Sequence, residues 1–162
     1  MAITPHGGEL VNRMLSGAAL EEARQKAGSL PKITVNEYTA FDIDCIGKGI
    51  FSPLKGFMNE AETRGTLDNM LLRPGVAWTI PILLAVSQKE GGALEVGSEV
   101  AIEDDRGDVV AILHLAEKFG LDVRELAEKV YRTTDEAHPG VAYTYSLGPV
   151  FLAGEIDVLQ ER

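Results

Sequence analysis

The sequence predicts an α+β fold with a mainly antiparallel, barrel-like sheet and with N-terminal and flanking helices. Three observations carry this prediction. Helical spacing dominates the first third of the 162 residues, β-branched and apolar runs dominate from Val76 onward, and strands and helices show no regular βαβ alternation. A chain of this length can bury a core of its own.

The first predicted elements are helical. The string ELVNRML at 9–15 spaces its apolar residues as one helical stripe. Residues 16–28 continue it, with Ser16 as a possible N-cap and Gly28 as a stop. The chain then enters a short strand or extended segment at Pro31.

A second helix is predicted after Asn36, an N-cap residue type, and is expected to end at Gly47. Its Tyr38, Phe41 and Cys45 share one helical face. We therefore expect this face to be buried and Cys45 to be an inert core thiol.

The loop at 49–58, GIFSPLKGFM, carries large apolar side chains on a backbone interrupted by glycines and a proline. Loops usually run over the surface and are polar. We expect the apolar side chains to pack inward as a plug between the helical and sheet halves; part of the string facing another domain is the alternative. The residues concerned are Ile50, Phe51, Leu54, Phe57 and Met58.

The next segment combines a helix start with turn signals. Asn59 followed by Glu62 predicts a capping box, and Gly65 is expected to break or bend the helix that follows. The tripeptide at 73–75, Arg-Pro-Gly, predicts a turn.

Strand signals follow. Residues 76–87 are β-branched and aromatic, although Pro81 requires an edge position or a bulge. Residues 98–119 are the clearest hairpin, with two apolar runs around a polar, glycine-containing tip. The chain closes with a strand at 148–160 that we expect Gly154 to interrupt.

One helix is predicted between these strands. Asp122 is its expected cap and Glu125 the partner that closes a capping box. This helix is expected to bury Val123, Leu126, Ala127, Val130 and Tyr131. After it, the string HPGV at 138–141 predicts a turn.

Composition excludes several classes of protein. Acidic residues outnumber basic ones 25 to 15, giving a net charge of −10. This balance opposes binding to nucleic acid or to an anionic membrane. The apolar run at 80–86 is too short to span a bilayer, the N-terminus has no signal-peptide pattern, and there is one cysteine. We expect a cytoplasmic protein.

Candidate phosphate and metal sites are weak. The Gly-Lys-Gly string at 47–49 lacks the context of a P-loop and predicts a turn. His6, His114 and His138 show no metal-ligand spacing. We expect His114 to be a hydrogen-bonded sheet residue, and His138 to shape its turn or to pair with a neighbouring carboxylate.

The remaining polar groups give no recognisable active site. The acidic run at 103–105, with Asp108 nearby, has oxygen ligands suited to a divalent cation, but a hairpin tip is usually just solvated. Ser52 lacks the surroundings of a nucleophile elbow.

Several unusual strings occur in a telling order: PHGG, GIFSPLKGFM, WTIPILL, KVYRTTDEAHPGV and FLAGEIDVL. Together they resemble the N-terminal domain of sulfate adenylyltransferases (ATP sulfurylases), from about Pro5 to Leu159. The resemblance implies that residues 1–162 form one PUA-like β-barrel domain.

The family's activity, the joining of ATP and sulfate into adenosine 5'-phosphosulfate and pyrophosphate, belongs to a second, Rossmann-like domain. That domain carries Q-x-R-N-P and H-x-x-H strings, and neither occurs in this sequence. The resemblance therefore implies no catalytic, substrate-binding or metal residue here, and no cofactor bound by this domain. ATP with Mg is expected only for the complete enzyme.

The implied partner is the catalytic domain, in cis or as a separate chain, and a homo-oligomer is possible. A stand-alone interaction module is the alternative, and a PUA-type RNA-binding module is disfavoured by the acidic composition.

Overall fold

A computed structural model of the chain describes residues 3–160. The helices of the described part are α1 Gly17–Ala27, α2 Glu37–Gly47, α3 Glu60–Asn69, α4 Gln88–Ala93, α5 Val123–Tyr131 and α6 Pro139–Tyr145, with a short 3-10 turn at His6–Gly8. Its strands are β1 Lys32–Thr34, β2 Gly56–Phe57, β3 Leu71–Arg73, β4 Val76–Ala77, β5 Leu84–Val86, β6 Glu99–Glu103, β7 Val109–His114, β8 Glu117–Phe119 and β9 Val150–Val158.

The sheet is organised around β9, which pairs antiparallel with β2, β5, β7 and β8. The main path runs β1-β6-β7-β9-β2, and β1 is parallel to β6. Because one strand bonds to four others, the sheet curls into a nearly closed barrel. The predicted α+β fold with a mainly antiparallel barrel is confirmed.

The predicted interruption at Gly154 is wrong, because β9 runs through this residue. Gly154 has φ 154°, and a Cβ there would collide with the carbonyl of His114. A Cβ on Gly56 would in turn collide with the carbonyl of Gly154. The glycines thus let β9 bend and exchange partners where the barrel backbone is most crowded.

The predicted helix at 9–15 is also wrong. This segment is extended, and the Leu15 amide donates to the Val158 carbonyl at 2.9 Å. Arg13 donates from Nε to the Ile156 carbonyl at 2.8 Å. The segment follows the edge of β9, and these long-range bonds outweigh its helical spacing.

Helix α2 begins as predicted, since Asn36 Oδ1 accepts the Thr39 N–H at 3.0 Å. Its orientation differs from the prediction. Cys45 is buried, but Tyr38 and Phe41 are 69% and 61% exposed. The helix instead buries the face that carries Thr39, Ala40, Ile43, Asp44, Cys45, Ile46 and Gly47.

The apolar loop at 49–58 is a plug for three of its five large side chains. Leu54, Phe57 and Met58 lie in the main core, and part of the loop forms β2. Ile50 is 66% exposed and Phe51 is half-buried. The inward packing is therefore confirmed for the C-terminal half of the loop and wrong for Ile50.

Local signals beyond the loop have mixed outcomes. The capping box of Asn59 and Glu62 is present. The break at Gly65 is wrong, because α3 continues through it and Gly65 packs against the backbone of β3. The turn predicted at 138–141 is wrong, because His138 is the N-cap of α6 and Pro139 begins that helix.

The predicted hairpin and the predicted helix after Asp122, which is α5, are confirmed with changes of detail. Residues 99–103 pair antiparallel with 109–114. The strand predicted at 76–87 is present as two short strands, β4 and β5, and Pro81 lies in the irregular segment between them. Asp122 caps α5 by accepting two amides, but Glu125 does not close a box. The helix buries Leu126 and Ala127 fully, and it half-buries Val123, Val130 and Tyr131.

Candidate functional site

The sequence-predicted histidine of the sheet is placed as expected. His114 Nε2 lies 2.7 Å from Asp157 Oδ2, and its Nδ1 lies 3.4 Å from Glu99 Oε1. Both carboxylates stand on strands that neighbour β7. The imidazole therefore links three strands as a hydrogen-bonded sheet residue.

Cys45 and Ser52 have structural roles. Burial raises the pKa of the Cys45 thiol, with further contributions from the Asp42 and Asp44 carboxylates. Ser52 Oγ accepts the Val11 N–H at 3.0 Å and donates to the Gly49 carbonyl at 2.6 Å. The Gly-Lys-Gly string at 47–49 is the predicted turn after α2.

The acidic hairpin tip is not simply solvated. Asp104 is fully buried, and it accepts hydrogen bonds from the Arg106 guanidinium and from the amides of Arg106 and Asp108. Burial alone would raise the pKa of Asp104, but these bonds lower it overall. Glu103 pairs with Lys32 across the sheet at 2.6 Å. Within residues 3–160 no cluster of three or more His, Cys, Asp or Glu could hold a metal ion.

The other two histidines lie near one surface depression. His138 Nδ1 accepts the Gly140 N–H at 3.1 Å, and its ring packs 4.9 Å from that of Tyr131. It shapes the chain locally, as expected, by capping α6. His6 Nε2 lies 2.8 Å from the Ala77 carbonyl, and its ring is 6.1 Å from Trp78.

The depression is a groove of about 600 Å³ between α2, the segment 77–83 and the pair α5–α6. We call it the tryptophan groove. Its wall is mostly apolar and aromatic, with few polar groups. Its lining residues are His6, Asp42, Phe51, Ala77, Trp78, Thr79, Ile80, Pro81, Ile82, Leu83, Leu126, Val130, Tyr131, Tyr143, Thr144 and Leu147.

Trp78 is fixed from several directions. Its indole N–H donates to the Ile80 carbonyl at 2.8 Å. Phe51 meets the indole edge-on, with ring centroids 6.1 Å apart at 81°. This contact explains why Phe51 is only half-buried: its ring faces the groove, and the core lies behind it.

Two tyrosines, Tyr131 and Tyr143, also line the groove. Tyr143 packs edge-on against Tyr38 of α2 at 5.1 Å, and its hydroxyl accepts a hydrogen bond from Asn36 at 3.4 Å. The Tyr131 ring lies so close to Gly140 that a Cβ at that position would overlap it. Helices α5 and α6 therefore approach each other closely enough to present both rings.

Among the described residues that line the groove, Asp42 is the one carboxylate. It is half-buried, and burial raises the pKa of its carboxyl group from 3.8 to about 6. Within residues 3–160 no hydrogen bond or salt bridge reaches this carboxylate. A desolvated carboxylate beside aromatic faces is suited to receive a cationic or hydrogen-bond-donating group.

A second cavity, of about 350 Å³, lies beside β2 and β9. Lys55 and Arg73 line it together with three acids, Glu62, Glu117 and Glu155. Negative charge thus outweighs positive charge at its walls. This balance does not suit a phosphate or sulfate ligand.

Sequence reasoning missed the tryptophan groove. The signals were Trp78, the single tryptophan of the chain, and Asp42, a carboxylate between the apolar residues Phe41 and Ile43. Helical spacing placed Tyr38 and Phe41 on a face, but it gave no information on which side of α2 would meet the barrel.

The nearly closed, mainly antiparallel barrel with its surrounding helices is that of a PUA-like domain. Residues 3–161 match the family described as "PUA-like domain", and the chain belongs to this family. Within the described residues, no helix combines the length and apolar character needed to cross a membrane.

The chain is also similar to sulfate adenylyltransferases, as the sequence motifs indicated. It is 43% identical to "Sulfate adenylyltransferase" of Symbiobacterium thermophilum over 97% of this chain and 40% of the relative. It is 46% identical to "Probable bifunctional SAT/APS kinase 2" of Sorangium cellulosum over 98% of this chain and 27% of the relative. The chain therefore spans well under half the length of these relatives.

A solved structure has the same fold. "Hexameric APS kinase from Thiobacillus denitrificans" superposes with a TM-score of 0.74 at 25% identity, covering 99% of this chain and 27% of that one. The relatives thus carry additional polypeptide beyond the part that matches this chain.

Proposed function

We propose that this chain acts as the N-terminal, non-catalytic domain of a sulfate adenylyltransferase and supports the catalytic domain that joins ATP and sulfate. The observation that carries the proposal is the alignment of 97% of the chain with only 40% of a sulfate adenylyltransferase. Its partner is the catalytic domain, in cis or as a separate chain, and ATP with Mg binds there.

The charges of the domain support a non-catalytic role. Attack of sulfate on the α-phosphorus of ATP brings anions together, so cationic side chains and amides must stabilise the transition state. The chain has a net charge of −10. Arg13, Arg64 and Arg106 are each engaged by a carboxylate, which leaves them poorly placed to hold an anion.

Pyrophosphate release tests the proposal. The 162-residue chain is assayed with Mg·ATP and sulfate, alone and joined to the remainder of the Symbiobacterium thermophilum relative. The proposal expects no release above background from the chain alone and measurable release from the fusion. Sulfate-dependent release by the chain alone would refute it.

A further inference from the structure

The tryptophan groove continues into an exposed apolar rim. Ile80, which lines the groove, is 54% exposed. Tyr38, which packs on the groove residue Tyr143, is also exposed. Exposed apolar and aromatic side chains beside a concave site are characteristic of protein–protein contacts.

We propose that the tryptophan groove is where the remainder of the enzyme docks, with a Lys or Arg side chain of that polypeptide inserted among the aromatic residues of the groove and paired with Asp42. This inference rests on the proposed function, because it names the surface through which the domain supports its catalytic partner.

Charge complementarity carries the first step. Asp42 lacks a salt bridge within the described residues, although it is half-buried. A desolvated carboxylate without a partner destabilises the free domain, and a cation placed against it removes that cost. The aromatic walls favour the same partner, since ring faces attract ammonium and guanidinium groups. The other titratable groups facing the groove are His6, Tyr131 and Tyr143.

The rim argues for a polypeptide as the occupant. A small cation would contact the groove of about 600 Å³ and leave Tyr38 and Ile80 exposed. A protein surface covers the rim and the groove together, with the basic side chain as its central anchor. The relatives supply such a polypeptide in the same chain, since this domain spans 40% of one of them.

Hydrogen exchange tests the inference on the fusion of this chain with the remainder of the Symbiobacterium thermophilum relative. The amides of Thr79, Ile80, Ile82 and Leu83 and those of α2 are compared between the free chain and the fusion; Pro81, within the same segment, has no amide hydrogen. Asp42→Lys reverses the charge, and Glu22→Lys makes the same change in charge on the exposed surface of α1. Asp42→Asn removes the charge with little change of shape, in case Asp42→Lys prevents folding.

We expect exchange at 79–83 to be at least about tenfold slower in the fusion than in the free chain, both for the original sequence and for Glu22→Lys. Asp42→Lys and Asp42→Asn should lose most of this protection. Equal exchange in fusion and free chain would overturn the inference, as would protection that survives both Asp42 substitutions. Protection that grows with the concentration of the free chain would also overturn it, in favour of a second copy as the occupant. Pyrophosphate release by a fusion whose groove stays unprotected would leave the proposed function standing and remove the docking site.

Discussion

Replacing Asp42 by Asn should stabilise the free domain at neutral pH. Burial raises the pKa of Asp42 from 3.8 to about 6 in the folded state. The folded protein therefore holds this proton more tightly than the unfolded chain, and stability falls as pH rises from about 4 to about 6. At 1.36 kcal/mol per pKa unit, the ionised carboxylate costs about 2–3 kcal/mol at pH 7. Asn removes this cost because it carries no charge.

Urea unfolding followed by circular dichroism at pH 7, 6, 5 and 4 measures the effect. We expect the free energy of unfolding of Asp42→Asn to exceed that of the original sequence by about 2 kcal/mol at pH 7. The difference should shrink steadily toward pH 4. Glu22→Gln, on the exposed surface of α1, is the matched control and should show no difference. An Asp42→Asn protein that is less stable at pH 7, or equally stable at every pH, would refute the reasoning.

Three further predictions concern the barrel, and equilibrium unfolding checks each. Phe51→Ala should lower the free energy of unfolding by about 1–2 kcal/mol because the Phe51 ring is half-buried. Met58→Ala should lower it by about 2–5 kcal/mol because Met58 is fully buried. Equal losses for the two variants would contradict the placement of Phe51. Gly56→Ala should lower the free energy of unfolding by more than about 3 kcal/mol, because the added Cβ collides with the backbone of β9. Gly92→Ala is the control: its surroundings are open, so it should be neutral or stabilising by up to about 1 kcal/mol. Because the pKa of Asp104 is lowered in the folded state, its contribution to stability is present above the unfolded value of 3.8 and is lost as pH falls below it. Asp104→Asn should therefore have a lower free energy of unfolding at pH 7 and should lose less of that free energy on acidification than the original sequence does. An equal loss below pH 4 in both proteins would contradict this prediction.

Local sequence signals predicted the elements that depend on a few neighbouring residues. Asn36, Asn59 and Asp122 each start a helix because the side chain accepts amides of the first turn. The hairpin at 98–119 was predictable because two apolar runs flank a polar, glycine-containing tip. These features need no knowledge of the rest of the chain.

Features fixed by distant partners were not predictable in this way. Residues 9–15 have helical spacing, yet they lie extended because Leu15 and Arg13 bond to β9, more than 140 positions away. Gly154 is needed for a close backbone contact with His114, and nothing in the sequence around Gly154 predicts this contact. The strand partners of β9 decide both cases.

The candidate site lay beyond sequence reasoning for the same reason. The groove combines α2, the segment 77–83 and α5–α6, which periodicity cannot bring together. Helix α2 was predicted to bury Tyr38 and Phe41, but both side chains are exposed. Asp42 of the same helix lines the groove. The family resemblance, in contrast, was readable from strings such as the one at 49–58, because unusual glycine and proline spacing is specific.

Calorimetric titration of the 162-residue chain with Mg·ATP and, separately, with sulfate asks most directly whether this domain holds either substrate. We expect no saturable heat with either ligand, because the net charge is −10 and Arg13, Arg64 and Arg106 are each paired with a carboxylate. One-to-one binding of either ligand at micromolar concentration would contradict the assignment of the domain as a support for chemistry performed elsewhere.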